Sequence, residues 1–271
     1  MIRGIATAAV AHAAPAALFL PQLRTPRLAG RGDPSHVALT FDDGPNPEST
    51  PQFLQTLEKL DVRATFFVLG RELAAAPELG REVAAAGHEV AVHGWDHRCF
   101  LRRSPKALHD ELAHTVDLIE LVTGTRPQWL RAPYGVFSAS ALVSARILGL
   151  QPVLWSTWGF DWTSRATPRS VVRTVCRRLT GGGTILLHDS DVAAAPGAWQ
   201  SALGAIPVLV AECRERGLAV GPLRDHASGL LSGLEAGVQI GGRVEGAGRR
   251  PSTRAEYDRH GDRGQRFSPR T

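Results

Sequence analysis

Two adjacent carboxylates, Asp42 and Asp43, stand in the run Thr40-Phe41-Asp42-Asp43-Gly44-Pro45-Asn46, and a histidine pair spaced by four, His93 and His97, follows downstream. Two imidazoles and one carboxylate are a donor set for a divalent cation. A second carboxylate beside such a site is free to take a proton from water that the cation has acidified. The chemistry these residues suggest is metal-dependent hydrolysis. The bland reading of Asp-Asp-Gly-Pro is a surface turn, since each of these residue types favours turns.

Neighbouring side chains on a regular strand point to opposite faces, so both acids can serve one site only where the strand has ended. Residues 37–41 read as a short buried strand, and Gly44 and Pro45 supply the turn beyond it. Residues 89–93 read as a second buried strand, with His93-Gly94-Trp95-Asp96-His97 at its C-terminal end. Glycine at the second position argues for a loop, so the two imidazoles converge by loop geometry and meet Asp43 over one end of a sheet.

The same pattern continues along the chain. Further strands are expected over residues 64–68, 129–131, 152–156, 184–188 and 218–220, and helices over residues 51–59, 77–86, 105–122, 138–148, 168–179 and 201–216. Several of these helices open on proline or a small polar residue, and several stop at Gly87, Gly124, Gly149 or Gly217. Strand and helix in alternation give an α/β fold with a parallel sheet, here a single distorted (β/α) barrel of about seven strands. Reactive groups in such barrels gather past the C-terminal strand ends. Arg131-Ala132-Pro133-Tyr134-Gly135, Asp161-Trp162 and Leu186-Leu187-His188 all fall on that side.

Composition bounds the rest. The chain has 271 residues, 43% of them hydrophobic, and a formal net charge of +5. Residues 241–271 hold eight arginines against four acids, so the body is close to neutral and offers no nucleic-acid surface. Three domains of organisation follow: an N-terminal segment over 1–35, a weak signal or helical extension; a catalytic barrel over 36–226; and a Gly/Arg-rich tail over 227–271 expected to be disordered. The apolar stretch near Ala11-His12-Ala13 is short for a secretion signal and far too short to span a membrane. Localisation is therefore envelope or secreted if that segment is a signal, and cytoplasmic otherwise; oligomeric state stays open. Cys99, Cys176 and Cys213 form no framework, and Cys99 reads as a free thiol more readily than as a further ligand.

From about His36 to Leu223 the chain resembles the polysaccharide deacetylases, carbohydrate esterases with a NodB-like homology domain. The resemblance rests on five motifs in order: the Asp42-Asp43 run, His93 to His97, Arg131 to Gly135, Asp161-Trp162 and Leu186 to His188. It implies a distorted barrel that removes acetyl groups from N-acetylated, sometimes O-acetylated, sugars. The partner is then an N-acetylated glycan, such as a chitooligosaccharide, peptidoglycan or a related polymer. Asp43, His93 and His97 would bind zinc, or cobalt or another divalent ion, and Asp42 would be the general base.

The resemblance also implies that Arg131 holds Asp42, that the backbone N–H of Tyr134 helps bind the oxyanion, and that His188 is the general acid, its pKa raised by Asp161. Trp162 and Leu186 would wall the acetyl pocket. Two residues depart from the family pattern. Gly94 stands where Ser or Thr is usual, which predicts a looser metal loop unless Asp96 or a water substitutes, and Trp158 stands where many relatives carry a polar residue. Trp95, Trp158 and Trp162 read as stacking platforms for sugar rings or, as often for large aromatics at strand ends, as simple packing. The competing functions are a carbohydrate-binding protein with an inactive site, a deacylase of a non-sugar amide, and an aspartate phosphohydrolase. The last lacks the spaced acids and downstream lysine that chemistry uses.

Overall fold

The computed structural model describes residues 12–19 and 25–226, so the tail over 227–271 and most of the alanine-rich start lie outside the described residues. Along the chain run β1 (His36–Asp42), α1 (Thr50–Lys59), β2 (Thr65–Val68), α2 (Gly70–Ala75), α3 (Pro77–Ala85) and β3 (Glu89–Val92). They are followed by α4 (Pro105–Thr123), β4 (Trp129–Leu130), α5 (Ala139–Leu148), β5 (Gln151–Pro152) and β6 (Thr157–Trp158). Then come α6 (Pro168–Cys176), β7 (Thr184–His188), α7 (Trp199–Glu215) and β8 (Ala219–Gly221). Helix ends follow local chemistry: Ser104 and Ser138 accept from the third backbone N–H inside α4 and α5, and Gly124 and Gly149 end those helices at φ 71° and 74°.

Every strand pairing is parallel, in the order β5-β4-β3-β2-β1-β7-β6, with β8 against the first half of β1. The expected barrel is present, but among the described residues its sheet ends at β5 and β6 and is not closed by pairing. One strand was expected over 152–156; two short ones form instead, because successive amides there bond to different partners. Val153 donates to Leu130, Leu154 to Leu28 and Ser156 to Thr184, so the segment crosses from one sheet edge to the other. Residues ahead of β1 pack on the barrel too, with Gly30 accepting from Thr184 Oγ1 at 2.6 Å. α2 is a helix the hydrophobic pattern did not announce, being too short to show a period. Among the described residues no helix is long and apolar enough to cross a membrane.

Side-chain alternation decides what faces inward. Val37, Leu39 and Phe41 of β1 pack with Phe66, Val68, Val90 and Val92 against the helices. Ala38, Phe67, Ala91, Trp129, Val153 and Leu223 form the separate inner cluster. Asp42 is in step with Ala38 and Thr40, so the period of two carries it to the inner face at the top of the strand. At the opposite end Glu89 accepts from Thr65, Trp129 and the Arg224 amide, which seals the barrel floor with a hydrogen-bonded plug.

Candidate active site

The top of the barrel opens into a cavity of about 320 Å³ lined by Asp42, Asp43, His93, His97, Tyr134, Trp155, Trp158, Phe160, Trp162, Leu186 and His188, among others. Asp42 ends β1, and the turn begins at Asp43 itself, which adopts φ 79°. That left-handed residue swings the second carboxylate back over the same opening. Both acids are buried, at 2% and 1% exposed, so their charges need partners.

Asp42 finds its partner in Arg131, a guanidinium with no exposed surface. Arg131 Nη1 donates to Asp42 Oδ1 at 2.7 Å and to Thr40 Oγ1 at 2.8 Å, and Nη2 donates to the Leu154 carbonyl at 2.9 Å. Its plane lies 4.0 Å from the Phe67 ring centroid, so the inner wall grips the cation from below. With Oδ1 engaged, Asp42 Oδ2 faces the histidines, 3.7 Å from His93 Nε2.

The histidine loop is set by backbone bonds. Gly94 and Trp95 carbonyls accept from Gly70 and Arg71 at the N-terminus of α2, at 3.0 and 2.9 Å. Asp96 accepts two bonds from Arg103 Nη2, at 3.1 and 3.0 Å, which ties the loop to the segment ahead of α4. Gly94 has φ 90°, a conformation that favours glycine, and a Cβ there would meet Phe100 Cε1 at 3.1 Å. The loop is thus held by backbone bonds and by Asp96, with no hydroxyl at position 94.

His93 donates from Nδ1 to the Arg131 carbonyl at 2.9 Å, which leaves the Nε2 lone pair aimed at the acids. His93 Nε2 and His97 Nε2 each lie 3.3 Å from Asp43 Oδ1. Asp43 Oδ1 is buried without a hydrogen-bond partner. Donor atoms of Asp43, His93 and His97 all fall within 4.8 Å of one another, the one such cluster among the described residues. Lone pairs meeting this closely require positive charge between them, so the residues present fit a divalent cation. Burial, reinforced by His93, lowers His97 to about 4 against the opposing charge of Asp43. Burial alone would raise Asp43, but the contact with His93 and the imidazoles of His188 and His97 hold it down at about 2. Around neutral pH this is a carboxylate beside a deprotonated imidazole, as metal ligation requires.

His188 ends β7 and places Nδ1 3.1 Å from Asp161 Oδ2, which also accepts from the His188 amide at 2.7 Å. Burial would lower this imidazole, yet Asp161, Asp43 and Asp42 push it up to about 10. That direction favours the protonated imidazole. Trp162 stands edge-on to His188 at 5.5 Å, and Leu186, two residues earlier on the same strand face, lies in the same wall. Tyr134 follows β4 in a tight turn at φ 60°, its ring edge-on to His97 at 4.6 Å. Every site residue expected from the sequence thus borders this one cavity or contacts a group that does. Trp95 lies outside that cavity and takes the packing alternative, 4.8 Å from His114 and over Gly70.

Sequence reasoning missed Asp189. Its carboxylate lies under the Asp42-Asp43 turn, where a Cβ on Gly44 would meet Asp189 Oδ2 at 2.4 Å. Thr50 Oγ1 donates to Oδ2 at 2.6 Å, and Ser49 Oγ donates to the Asp189 carbonyl at 2.5 Å, which pins the turn to the start of α1. Burial raises this carboxyl to about 7, the charges of Asp43 and Asp42 adding to the effect and Thr50 opposing it. The signal was an acid directly after a strand-end histidine on the neighbouring strand.

Residues 29–153 match the polysaccharide deacetylase family. The chain is 40% identical over 154 residues to a chitooligosaccharide deacetylase of Bradyrhizobium sp., covering 56% of this chain and 70% of that protein. It is 37% identical to the peptidoglycan-N-acetylmuramic acid deacetylase PdaC of Bacillus subtilis, over 56% of this chain but only 32% of that longer protein. Among solved structures, PdaC superposes with a TM-score of 0.66 at 28% identity, over 78% of this chain and 98% of that one. A CE4-family pseudoenzyme from Bacillus anthracis superposes with a TM-score of 0.67 at 26% identity, over 76% and 70% of the two chains.

Proposed function

The chain belongs to the polysaccharide deacetylase family, and from that premise we propose that it hydrolyses the acetamide of N-acetylated amino-sugar residues in a glycan, with a divalent cation held by Asp43, His93 and His97. The observation that carries the reading is the meeting of those three donor sets with Asp42 and His188 around a single cavity. When bound, zinc or a similar ion would supply Lewis-acid charge and acidify a water.

The chain's own groups account for the proton movements. Asp42, fixed through Oδ1 by Arg131, presents Oδ2 to take a proton from the attacking water. The backbone N–H of Tyr134 is assigned to the oxygen that becomes negative as the carbonyl turns tetrahedral. His188, charged and oriented by Asp161, gives its proton to the amine nitrogen as the C–N bond breaks. One water is consumed, and acetate and a free amine leave. Leu186 and Trp162 provide apolar surface for the acetyl methyl.

The likeness to a pseudoenzyme raises binding without turnover as the rival, and the joint presence of a held base and a charged acid argues against it. The test is acetate release from N-acetylglucosamine oligomers and peptidoglycan with added Zn²⁺ or Co²⁺. Turnover that falls by two or more orders of magnitude in Asp42→Asn is expected. An unchanged rate removes Asp42 as the base, and binding with no acetate from any polymer removes the reading.

A further inference from the structure

One large side chain on the cavity rim has no part in the chemistry above and lies half exposed. Phe160 is 48% exposed and adopts φ 53°, a left-handed conformation that a bulky residue takes only where its surroundings impose it. Its neighbour Gly159 lies flush against the barrel wall, where a Cβ would meet Val171 Cγ1 at 2.7 Å and Leu187 Cδ2 at 3.0 Å. The left-handed turn follows directly at position 160, whose ring lines the cavity.

The ring does not stand alone. It packs against Trp162 at 5.1 Å and edge-on against Trp158 at 5.6 Å. Trp158 is in turn backed by the Arg178 guanidinium at 5.2 Å. The row ends at His188, with Trp162 edge-on to it. An exposed aromatic surface, fixed by two indoles and leading to the proton donor, suits the apolar C–H face of an uncharged pyranose better than an ionic group.

We propose that Phe160 is a specificity-determining residue on which the pyranose next to the reacting sugar stacks, so that the protein selects oligomers over single N-acetylated amino sugars. This rests on the deacetylase reading and deepens it. Steady-state kinetics with added Zn²⁺ on the N-acetylglucosamine tetramer and monomer test it, with 4-nitrophenyl acetate as a small-ester control. Phe160→Ala is expected to raise KM for the tetramer about 10-fold with kcat kept. The tetramer-to-monomer ratio of kcat/KM is expected to fall about 10-fold in that variant, and Phe160→Tyr restores it.

Two results overturn the stacking role while leaving the deacetylase reading in place: a tetramer KM unmoved by Phe160→Ala, or the same rise in KM for tetramer and monomer. A parent protein that cleaves the aryl acetate but releases no acetate from any amino-sugar oligomer sinks both. Loss of aryl acetate activity in both Phe160 variants also counts against it, since the residue would then be holding the site together.

Discussion

Arg131 and Asp42 form an ion pair at 2.7 Å in which the guanidinium has no exposed surface and the carboxylate almost none. Such a pair is costly to break because removing one partner strands the other charge. Arg131→Met is expected to lose about 3–5 kcal/mol in a denaturant melt. Arg131→Lys keeps the charge but cannot reach Asp42, Thr40 and Leu154 together, so it should fold while kcat for acetate release falls about 10- to 100-fold. A methionine variant within 1 kcal/mol of the parent, the scale of an exposed pair, would show that this pair is not the anchor described.

The Asp161 contact makes a prediction about pH. A raised imidazole is the active acid below its pKa, so kcat should hold well above neutrality and fall only as His188 loses its proton. Asp161→Asn keeps an oxygen for the His188 amide but removes the charge, and the alkaline limb should move down by about 1–3 units. The stability the pair contributes is fully present below the ordinary imidazole value of 6.5 and lost as pH rises through about 10. NMR titration of His188 reads the shift directly; an imidazole that titrates at the same pH in both proteins rules out Asp161 as its cause.

The sequence carried the barrel and the site rim because both depend on local patterns. Buried strand runs and helix punctuation set the alternation, and motif residues at strand ends fell on one side by topology. What it did not carry was geometry set by distant partners. The split of 152–156 into two strands comes from Leu28, Leu130 and Thr184, each far away in the chain. Asp189 gained its place from Gly44, Ser49 and Thr50, and Trp95 was lost to the rim because His114 on α4 claims it. The positive φ of Tyr134 and Phe160 was likewise invisible, and Asp43 and His97, though of types that tolerate it, did not announce it as glycine does.

Asp189 predicts how the metal-free protein responds to pH. A carboxyl raised in the folded state stabilises fully below its unfolded value of 3.8, and that contribution is lost as pH rises through about 7. Asp189→Asn keeps a hydrogen-bonding oxygen for Thr50 and cannot ionise. Relative to the parent, in EDTA, it should gain about 2–4 kcal/mol between pH 4 and 8, read as a melting temperature difference that grows with pH. A difference that stays constant over that range contradicts the raised carboxyl.

Metal removal gives an independent check on Asp43, His93 and His97. Zn²⁺ binding the folded chain alone should stabilise it by about 2.7 kcal/mol at 100 times Kd, and EDTA should reverse both that gain and the activity. His97→Ala removes a donor that is only partly buried, so it should fold yet show little shift in melting temperature with Zn²⁺. An equal zinc-induced shift in parent and variant would place the cation elsewhere.

Gly94 brings the backbone and the metal into one experiment. Restoring the hydroxyl residue common in the family appears conservative on paper, but Gly94 sits at φ 90° with Phe100 3.1 Å from the position of a Cβ. Gly94→Ser must either strain the left-handed backbone or displace Phe100, and should destabilise the protein by about 1–2 kcal/mol. His93 lies one residue away and owes its aim to the Arg131 carbonyl, so any loop shift moves Nε2 off the acids. Zinc affinity should therefore fall, not rise. Calorimetric titration of both proteins decides it: tighter zinc binding in Gly94→Ser would mean that the backbone bonds from Gly70 and Arg71 do not replace the missing hydroxyl.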